Sequence, residues 1–304
     1  KTSTIALLES IFKTADVPVG VISSEKTVDG MSRAAGVSQC PMPAYLASRL
    51  ANMESAGCTH ALVEVSCQAL AQHRHAGIEY EALAVTHVSA ADLDIHHTPA
   101  NYRATARRAL DLLSPEGLAI LNANDPTCCR WTAETAGPIL TYGVAGKGSI
   151  SMQVVEQNAC EQVMLLTMGN ESAAIRSSIT GEYHVQNCLA AAATALAYGV
   201  GLQQVARGIE AVTRLPARME RVDAGQAYPV FVDAARSPES LRCVLRTARQ
   251  LATGKVICVL AEQPSRDPQE NVAIEMVVRK LADVAIVTDA VSTAADWEAD
   301  ADED

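Results

Sequence analysis

Along most of the chain, short, nearly continuous apolar runs alternate with longer segments whose apolar positions recur at helical spacing. The runs VPVGVIS (17–23), HALVEVS (60–66), ALAVTHV (82–88), GLAILNA (117–123) and GPILTYG (137–143) read as strands. Because they barely alternate, they are expected to be buried on both faces. Helical spacing predicts helices over 42–56 and 99–113, and in the opening stretch KTSTIALLESIF. Strands and helices in this alternation predict an α/β sheet covered by helices on both sides. From 150 to 180 the rhythm shifts to SISMQVVEQ, EQVMLLTMG and SAAIRSSIT, three short strands divided by turn residues, which predict an antiparallel appendage to that sheet.

Helices return at 184–200, where alanine dominates, and at 202–212. TRLPARMERV then reads as a linker or the entry to a second domain. Beyond it come YPVFVDA, a helix over 237–252, GKVICVLA, a helix over 268–281 and DVAIVTD. This second α/β unit has about three strands, fewer than an open parallel sheet usually holds, and is read as incomplete. The expected division is a first domain over 1–213 and a second over 214–304, and 304 residues suffice for two cores.

Composition narrows the function classes. Aromatics make up 4% of the chain, so the cores must be built mainly of Ala, Val, Leu and Ile. A net charge of -11 argues against nucleic acid or an anionic membrane surface as the main partner, and part of it sits in the C-terminal DWEADADED, read as a solvated end. No apolar run approaches the roughly 18 residues that cross a bilayer, and no signal peptide is visible. Nine cysteines without a C-x-x-C pair read as reduced thiols of a cytoplasmic protein.

Candidate chemistry starts at residue 1. A Lys-Thr pair at the mouth of a helix has the form of the back half of a phosphate-binding loop, in which backbone N–H groups and the lysine cradle phosphates while the hydroxyl holds Mg²⁺. The glycines and the strand that would feed it are then expected upstream of Lys1. Glu64, near the carboxyl end of a strand, sits where an open sheet presents ligands and could complete the coordination of a phosphate-bound Mg²⁺; a solvent-facing strand-end glutamate is the alternative. Six of the seven histidines fall between 60 and 97, and with Asp92 and Asp94 they raise the question of a transition-metal site. No pair of them at metal spacing occupies a well-defined element with a third ligand downstream, so polar side chains around an anionic ligand are the preferred reading.

The segments EVSCQALAQHR, THVSAADLDIHHTPANYRATARRALDLLSPEGLAILNANDP, GEYHVQN and LPARMERVDAG resemble, in order, landmarks of the Mur ligases, above all the synthetases that add the third amino acid of the peptidoglycan stem peptide. Lys1-Thr2-Ser3-Thr4 matches the end of that family's G-T-x-G-K-T-[ST] loop. The resemblance implies a P-loop NTPase-like central sheet with flanking helices and a small antiparallel appendage, followed by an incomplete Rossmann-like α/β domain. It also implies ATP and Mg²⁺ as cofactors, a UDP-muramyl-peptide-like substrate, and a cytoplasmic monomer. By motif match, Lys1 would steady the γ-phosphate, Thr2 with Ser3 would lie at the nucleotide and Mg²⁺, and Glu64 would bridge the metals. Ser66, Gln72 and Arg74 would lie near the muramyl-peptide, Asn187 near the adenine, and Arg218 and Asp233 on the nucleotide side of the second domain.

Departures from the family pattern accompany the match. Where the family reads D-H-L-D, the chain reads Ala91-Asp92-Leu93-Asp94, so Asp92 stands in for a metal-binding histidine. The family's carbamylated lysine falls on Ala106. The glycine-rich motif of the second domain keeps only Arg266-Asp267, and the D-N-P-R signature is DAVS at 289–292. Two readings follow from the resemblance. One is an ATP-dependent amide-bond ligase working through an acyl phosphate, with Lys1, Glu64 and Asp92 catalytic. The other is a catalytically inactive relative kept as a binding or scaffold module.

Overall fold

In the computed structural model, residues 1–36, 40–88, 96–261 and 268–288 are described. Asp92, Asp94, Arg266, Asp267 and the stretch 289–292 lie outside them. The chain divides into two compact units, 1–233 and 234–304, while strand β11 (Glu220–Val222) and strand β12 (Val230–Val232) form a small antiparallel ribbon at the end of the first.

Helix α1 (Thr2–Thr14) opens the first unit. Leu7, Leu8, Ile11 and Phe12 recur at 3–4-residue spacing and are buried, which sets the inward face. Strand β1 (Val19–Ile22) pairs in parallel with β4 (His60–Val63) and antiparallel with β2 (Lys26–Val28), which pairs with β3 (Arg33–Ala35). Helix α2 (Pro43–Ser55) covers this four-stranded sheet, and the short α3 (Cys67–Ala71) follows β4. The β2–β3 hairpin has no apolar period of its own. Asp29, fully buried, organises it by accepting bonds from Arg49, Asn52, Ser32 and the Met31 N–H.

The larger sheet has six strands in the order β10-β9-β8-β7-β6-β5, built from β5 (Tyr80–Val85), β6 (Leu113–Asn122), β7 (Ile139–Val144), β8 (Ile150–Gln157), β9 (Gln162–Met168) and β10 (Glu171–Ser177). Strands β5 to β8 are parallel, and β8 to β10 continue antiparallel as the expected appendage. Neighbouring residues of β6 point to opposite cores. Ile120 joins the cluster beneath α1 and α6 (Glu182–Ala197), while Ala119 and Leu121 join Trp131 and Tyr102 on the other face. Those two aromatics come from α4 (Pro99–Arg107) and α5 (Pro126–Glu134).

The fully buried alanine run Ala190–Ala193 lets α6 lie close to the sheet. Helix α7 (Leu202–Glu210) crosses α1, and a Cβ on Gly208 would come within 2.4 Å of the Ile11 Cα, so only glycine permits that approach.

Two sequence expectations change at their edges. The helix foreseen over 99–113 stops at Arg107, a single 3₁₀ stretch follows, and β6 begins at Leu113. The strand foreseen over 60–66 ends at Val63, leaving Glu64, Val65 and Ser66 as a loop.

In the second unit, α8 (Pro238–Leu251) and α9 (Pro268–Leu281) pack on a parallel pair, β13 (Ile257–Ala261) and β14 (Val284–Thr288). Leu241, Leu245, Cys258, Ile274, Val277 and Val278 make its core, while Ile257, Val259 and Ile286 are exposed. No described helix is long and apolar enough to cross a membrane.

Candidate functional site

The site forms where the carboxyl ends of the parallel strands meet the start of α1. Glu64 directly follows β4 and is 6% exposed; its N–H donates to the Ile22 carbonyl at 2.9 Å, continuing the β1–β4 ladder by one rung. Its carboxylate lies 3.1 Å from the Thr2 hydroxyl through both oxygens, and Oε2 also accepts from the Ser24 N–H and hydroxyl, each at 3.1 Å. Thr2 and Ser24 hydroxyls lie 3.1 Å apart. Two residues 62 apart in sequence therefore meet at the N-terminus of α1, where no side chain caps the first turn. The N–H groups of that turn and the helix dipole favour an anion there.

This donor set fits a hard divalent cation. It offers oxygen only, one carboxylate and neighbouring hydroxyls, and Mg²⁺ takes one or two carboxylates with phosphate and water completing its shell. Among the described residues no three His, Cys, Asp or Glu side chains converge as a metal cage.

Around this nest the other candidates take definite places. Lys1 is exposed at the N-cap position of α1, and Ser3 is buried in its first turn. Thr4 donates to the Asn187 side-chain oxygen at 3.1 Å, which ties α6 to the same end of α1. Ser66 caps α3, its hydroxyl accepting the Ala69 N–H at 3.0 Å. Gln72 accepts from the Arg74 guanidinium at 2.9 Å, so these two act as one unit just beyond α3.

Arg218 shares with Thr2 the lining of a cleft of about 920 Å³, together with Glu9, Lys13, Lys26 and Arg214. Glu9 is buried and paired with both Lys13 and Lys26. Burial works to raise its carboxyl, but the two lysines outweigh that and hold it below its ordinary range. Ala217 and Met219, on either side of Arg218, both adopt left-handed backbone, with φ of 48° and 45°. Their N–H groups donate to Glu220 and to the Asp233 carboxylate at 2.6 and 2.8 Å, which holds this strained turn. Asp233 is thus a partner of the turn that carries Arg218.

The histidines, clustered in sequence, disperse in space. His60 lies edge-on to Tyr198, the His75 ring meets the Tyr80 hydroxyl at 2.8 Å, and His96 sits edge-on to Tyr102. His75 and His96 are buried, each with a ring Nε2 lacking a partner, and burial lowers the His75 pKa. The expectation of histidines gathered as polar residues round one ligand therefore fails for these three. His87 differs: two residues past Val85, which ends β5, its Nδ1 is 2.8 Å from Asp125. Sequence reading missed Ser24 and Asp125; the Asp125-Pro126 pair, an N-cap followed by proline at N1, was the available signal for the second and for α5.

With this geometry in place, the comparisons give the class and then the relatives. The Mur ligase middle domain matches residues 1–195, and the family described as Mur ligase, glutamate ligase domain, matches 217–303. The chain belongs to the Mur ligase family. It is 32% identical over 295 residues to the UDP-N-acetylmuramoyl-L-alanyl-D-glutamate–2,6-diaminopimelate ligase of Geobacillus kaustophilus, covering 95% of this chain and 60% of that protein. Among solved structures, MurF from Acinetobacter baumannii superposes with a TM-score of 0.72 at 16% identity, covering 95% of this chain and 60% of that one. MurF ligase from Thermotoga maritima, solved in complex with ADP, gives 0.69 at 13% identity over 94% and 63%. The chain spans about 60% of the length of the curated relatives it matches. Its fold is the mixed α/β architecture of these structures.

Proposed function

We propose that this chain is the nucleotide-binding core of an ATP-dependent acid–amino-acid ligase of peptidoglycan precursor synthesis, which joins an amino acid to a UDP-N-acetylmuramoyl-peptide by way of an acyl phosphate, as a monomer in the cytoplasm. The observation that carries this reading is the hydrogen-bonded meeting of Thr2 and Glu64 at the uncapped start of α1. Phosphoryl transfer to a carboxylate asks the protein mainly for positioning and charge neutralisation, and this corner supplies both. The first-turn N–H groups and Lys1 would receive the triphosphate. Thr2 and Glu64 would hold Mg²⁺, which when bound neutralises charge on the transferring phosphoryl group. Arg218 would meet the nucleotide from the far wall of the cleft. Gln72 and Arg74, already bonded to each other, offer the donors that suit an anionic peptide acceptor.

Ala106 favours a second reading, an inactive binding module. It stands where the family carries a reactive lysine and is packed beside the apolar cluster of Tyr102 and Trp131. The two readings separate in one assay. The ligase reading expects ADP release from the full-length protein that needs both an amino acid and a UDP-muramyl-peptide. It also expects Glu64→Gln to lower turnover by about 10²- to 10³-fold, the usual cost of one well-placed electrostatic group. A folded wild type with no ADP release above the Glu64→Gln background would leave only the binding role.

A further inference from the structure

The turn between β1 and β2 brings a third residue, Ser24, into contact with both Thr2 and Glu64. Its backbone is fixed from two sides. On one side the buried Ser23 hydroxyl donates to the Lys26 carbonyl at 3.0 Å and accepts the Lys26 N–H at 3.1 Å, which locks the turn. On the other, the chain leaving β3 crosses at Gly36, whose N–H donates to the Glu25 carbonyl at 2.8 Å. A Cβ on Gly36 would come within 2.1 Å of the Ser24 carbonyl oxygen, so only glycine permits this crossing. The turn therefore holds the Ser24 N–H in one direction, 3.1 Å from Glu64 Oε2.

The hydrogens of the nest are few enough to follow one by one. Glu64 Oε2 receives the Ser24 N–H and the Ser24 hydroxyl, each at 3.1 Å, and these two donors fill the lone-pair directions of one carboxylate oxygen. Among the described residues Oε1 has a single donor, the Thr2 hydroxyl. The Thr2 oxygen is 3.1 Å from both carboxylate oxygens and from the Ser24 hydroxyl, so one hydrogen faces three acceptors. A cation drawing on Oε1 and on the Thr2 oxygen repels that hydrogen from the Oε1 side. Oε2 is already taken, and the Ser24 oxygen is the acceptor within reach. Thr2 then donates to Ser24, and Ser24 donates to Oε2. That chain leaves a Thr2 lone pair and Oε1 to the metal.

We infer that Ser24 is the positioning residue of this cation site: it takes the Thr2 hydrogen and pins Glu64 by Oε2, so that the carboxylate meets a metal through Oε1 alone. The inference rests on the reading of the nest, proposed above, as the seat of a nucleotide-bound cation. Its consequence is selectivity. Mg²⁺ is small and demands a near-octahedral shell, whereas Ca²⁺ takes about six to eight oxygens and accepts a carboxylate through both of its oxygens. A glutamate pinned at one oxygen suits the smaller ion. With the Ser24 hydroxyl gone, the N–H alone holds Oε2, and the carboxylate is free to swing and offer both oxygens. Groups that orient a metal's ligands in this way contribute about 10- to 100-fold to its affinity.

The test measures metal binding without turnover. Full-length wild type, Ser24→Ala and Ser24→Thr are loaded with a non-hydrolysable ATP analogue and Mn²⁺, which is followed by its paramagnetic resonance signal and displaced by Mg²⁺ or by Ca²⁺. Binding of the analogue with all metal chelated is measured by calorimetry, and circular dichroism and melting curves confirm that each variant is folded. In Ser24→Ala the Mg²⁺ affinity is expected to fall about 10- to 100-fold. Ca²⁺ affinity and metal-free analogue binding should stay within a few-fold of wild type, and Ser24→Thr, which keeps the hydroxyl, should restore the preference for Mg²⁺. Unchanged Mg²⁺ affinity in folded Ser24→Ala would overturn the proposal, and so would an equal loss for Mg²⁺ and Ca²⁺. A matching loss of metal-free analogue binding, or a Ser24→Thr as weak as Ser24→Ala, would assign Ser24 a role in shape alone and overturn it too. If wild type with the analogue holds no more Mn²⁺ than the analogue does in solution, the cation reading of the nest falls and takes this inference with it. That result is distinct from a metal-binding wild type with an indifferent Ser24.

Discussion

Two carboxylates of the first unit each follow a parallel strand, Glu64 after β4 and Asp125 after β6, and both are almost wholly buried. Their surroundings differ. Two of the three groups that donate to Glu64 are hydroxyls, from Thr2 and Ser24, which rotate freely about one bond. Asp125 is held by three main-chain N–H groups that cannot turn away without unwinding α5 or moving β5. A carboxylate among hydroxyls can exchange those partners for a cation at small cost. A carboxylate among amides is committed, and serves to aim whatever else it touches. Burial alone does not distinguish a ligand from a brace; the mobility of the donors does.

Stability measurements can break this contrast. Asp125→Ala removes the α5 cap, orphans the Val88 N–H and deletes the carboxylate that His87 meets, and is expected to cost about 4 kcal/mol in urea unfolding. Glu64→Gln keeps an acceptor among the same donors and should cost less than about 1 kcal/mol. Similar losses at both positions would remove the distinction.

Acid titration sharpens it. Burial holds the His184 imidazole at about 4, where its Nε2 meets the Ser177 hydroxyl at 2.9 Å. Below the ordinary histidine range the unfolded chain takes up a proton that folded His184 refuses. Its contribution is therefore whole above pH 6.5 and falls by about 3 kcal/mol as the pH drops to 4. Asp125 has the lowered pKa of a bonded carboxylate. Its share is whole above about pH 4 and fades as the pH falls through about 2, amounting to about 2 kcal/mol once solvent screening is allowed for. Wild type should lose stability in two stages, and Asp125→Ala should lack the lower one. The smallest effect concerns Arg218, aimed by backbone strain. Ala217→Gly relieves one left-handed alanine and should stabilise the first unit by about 0.5–1 kcal/mol in thermal melts.

The main strands and helices were legible because they are long, apolar and periodic. The β2–β3 hairpin was not, since three-residue strands such as Lys26–Val28 have too little pattern, and the polar bonds of Asp29 do what periodicity does elsewhere. Motif order led directly to the Thr2–Glu64 pair. The His87–Asp125 contact stayed hidden because the two lie 38 residues apart and only the parallel pairing of β5 with β6 brings them together. Counting histidines along the chain pointed instead to a cluster, yet His60, His75 and His96 each sit against a different aromatic ring. Sequence proximity measures neighbours on a string; a sheet edge collects residues by strand order.

The contact between Gly208 and Ile11 bears on more than packing. Helix α1 is a stiff rod, and Ile11 stands nine residues from Thr2, about 14 Å along its axis. A bulkier residue at 208 would shove that rod from its far end, and the displacement would emerge at Thr2. The fidelity of the phosphate corner is thus delegated in part to a hydrogen atom on a neighbouring helix, more than two turns down the rod.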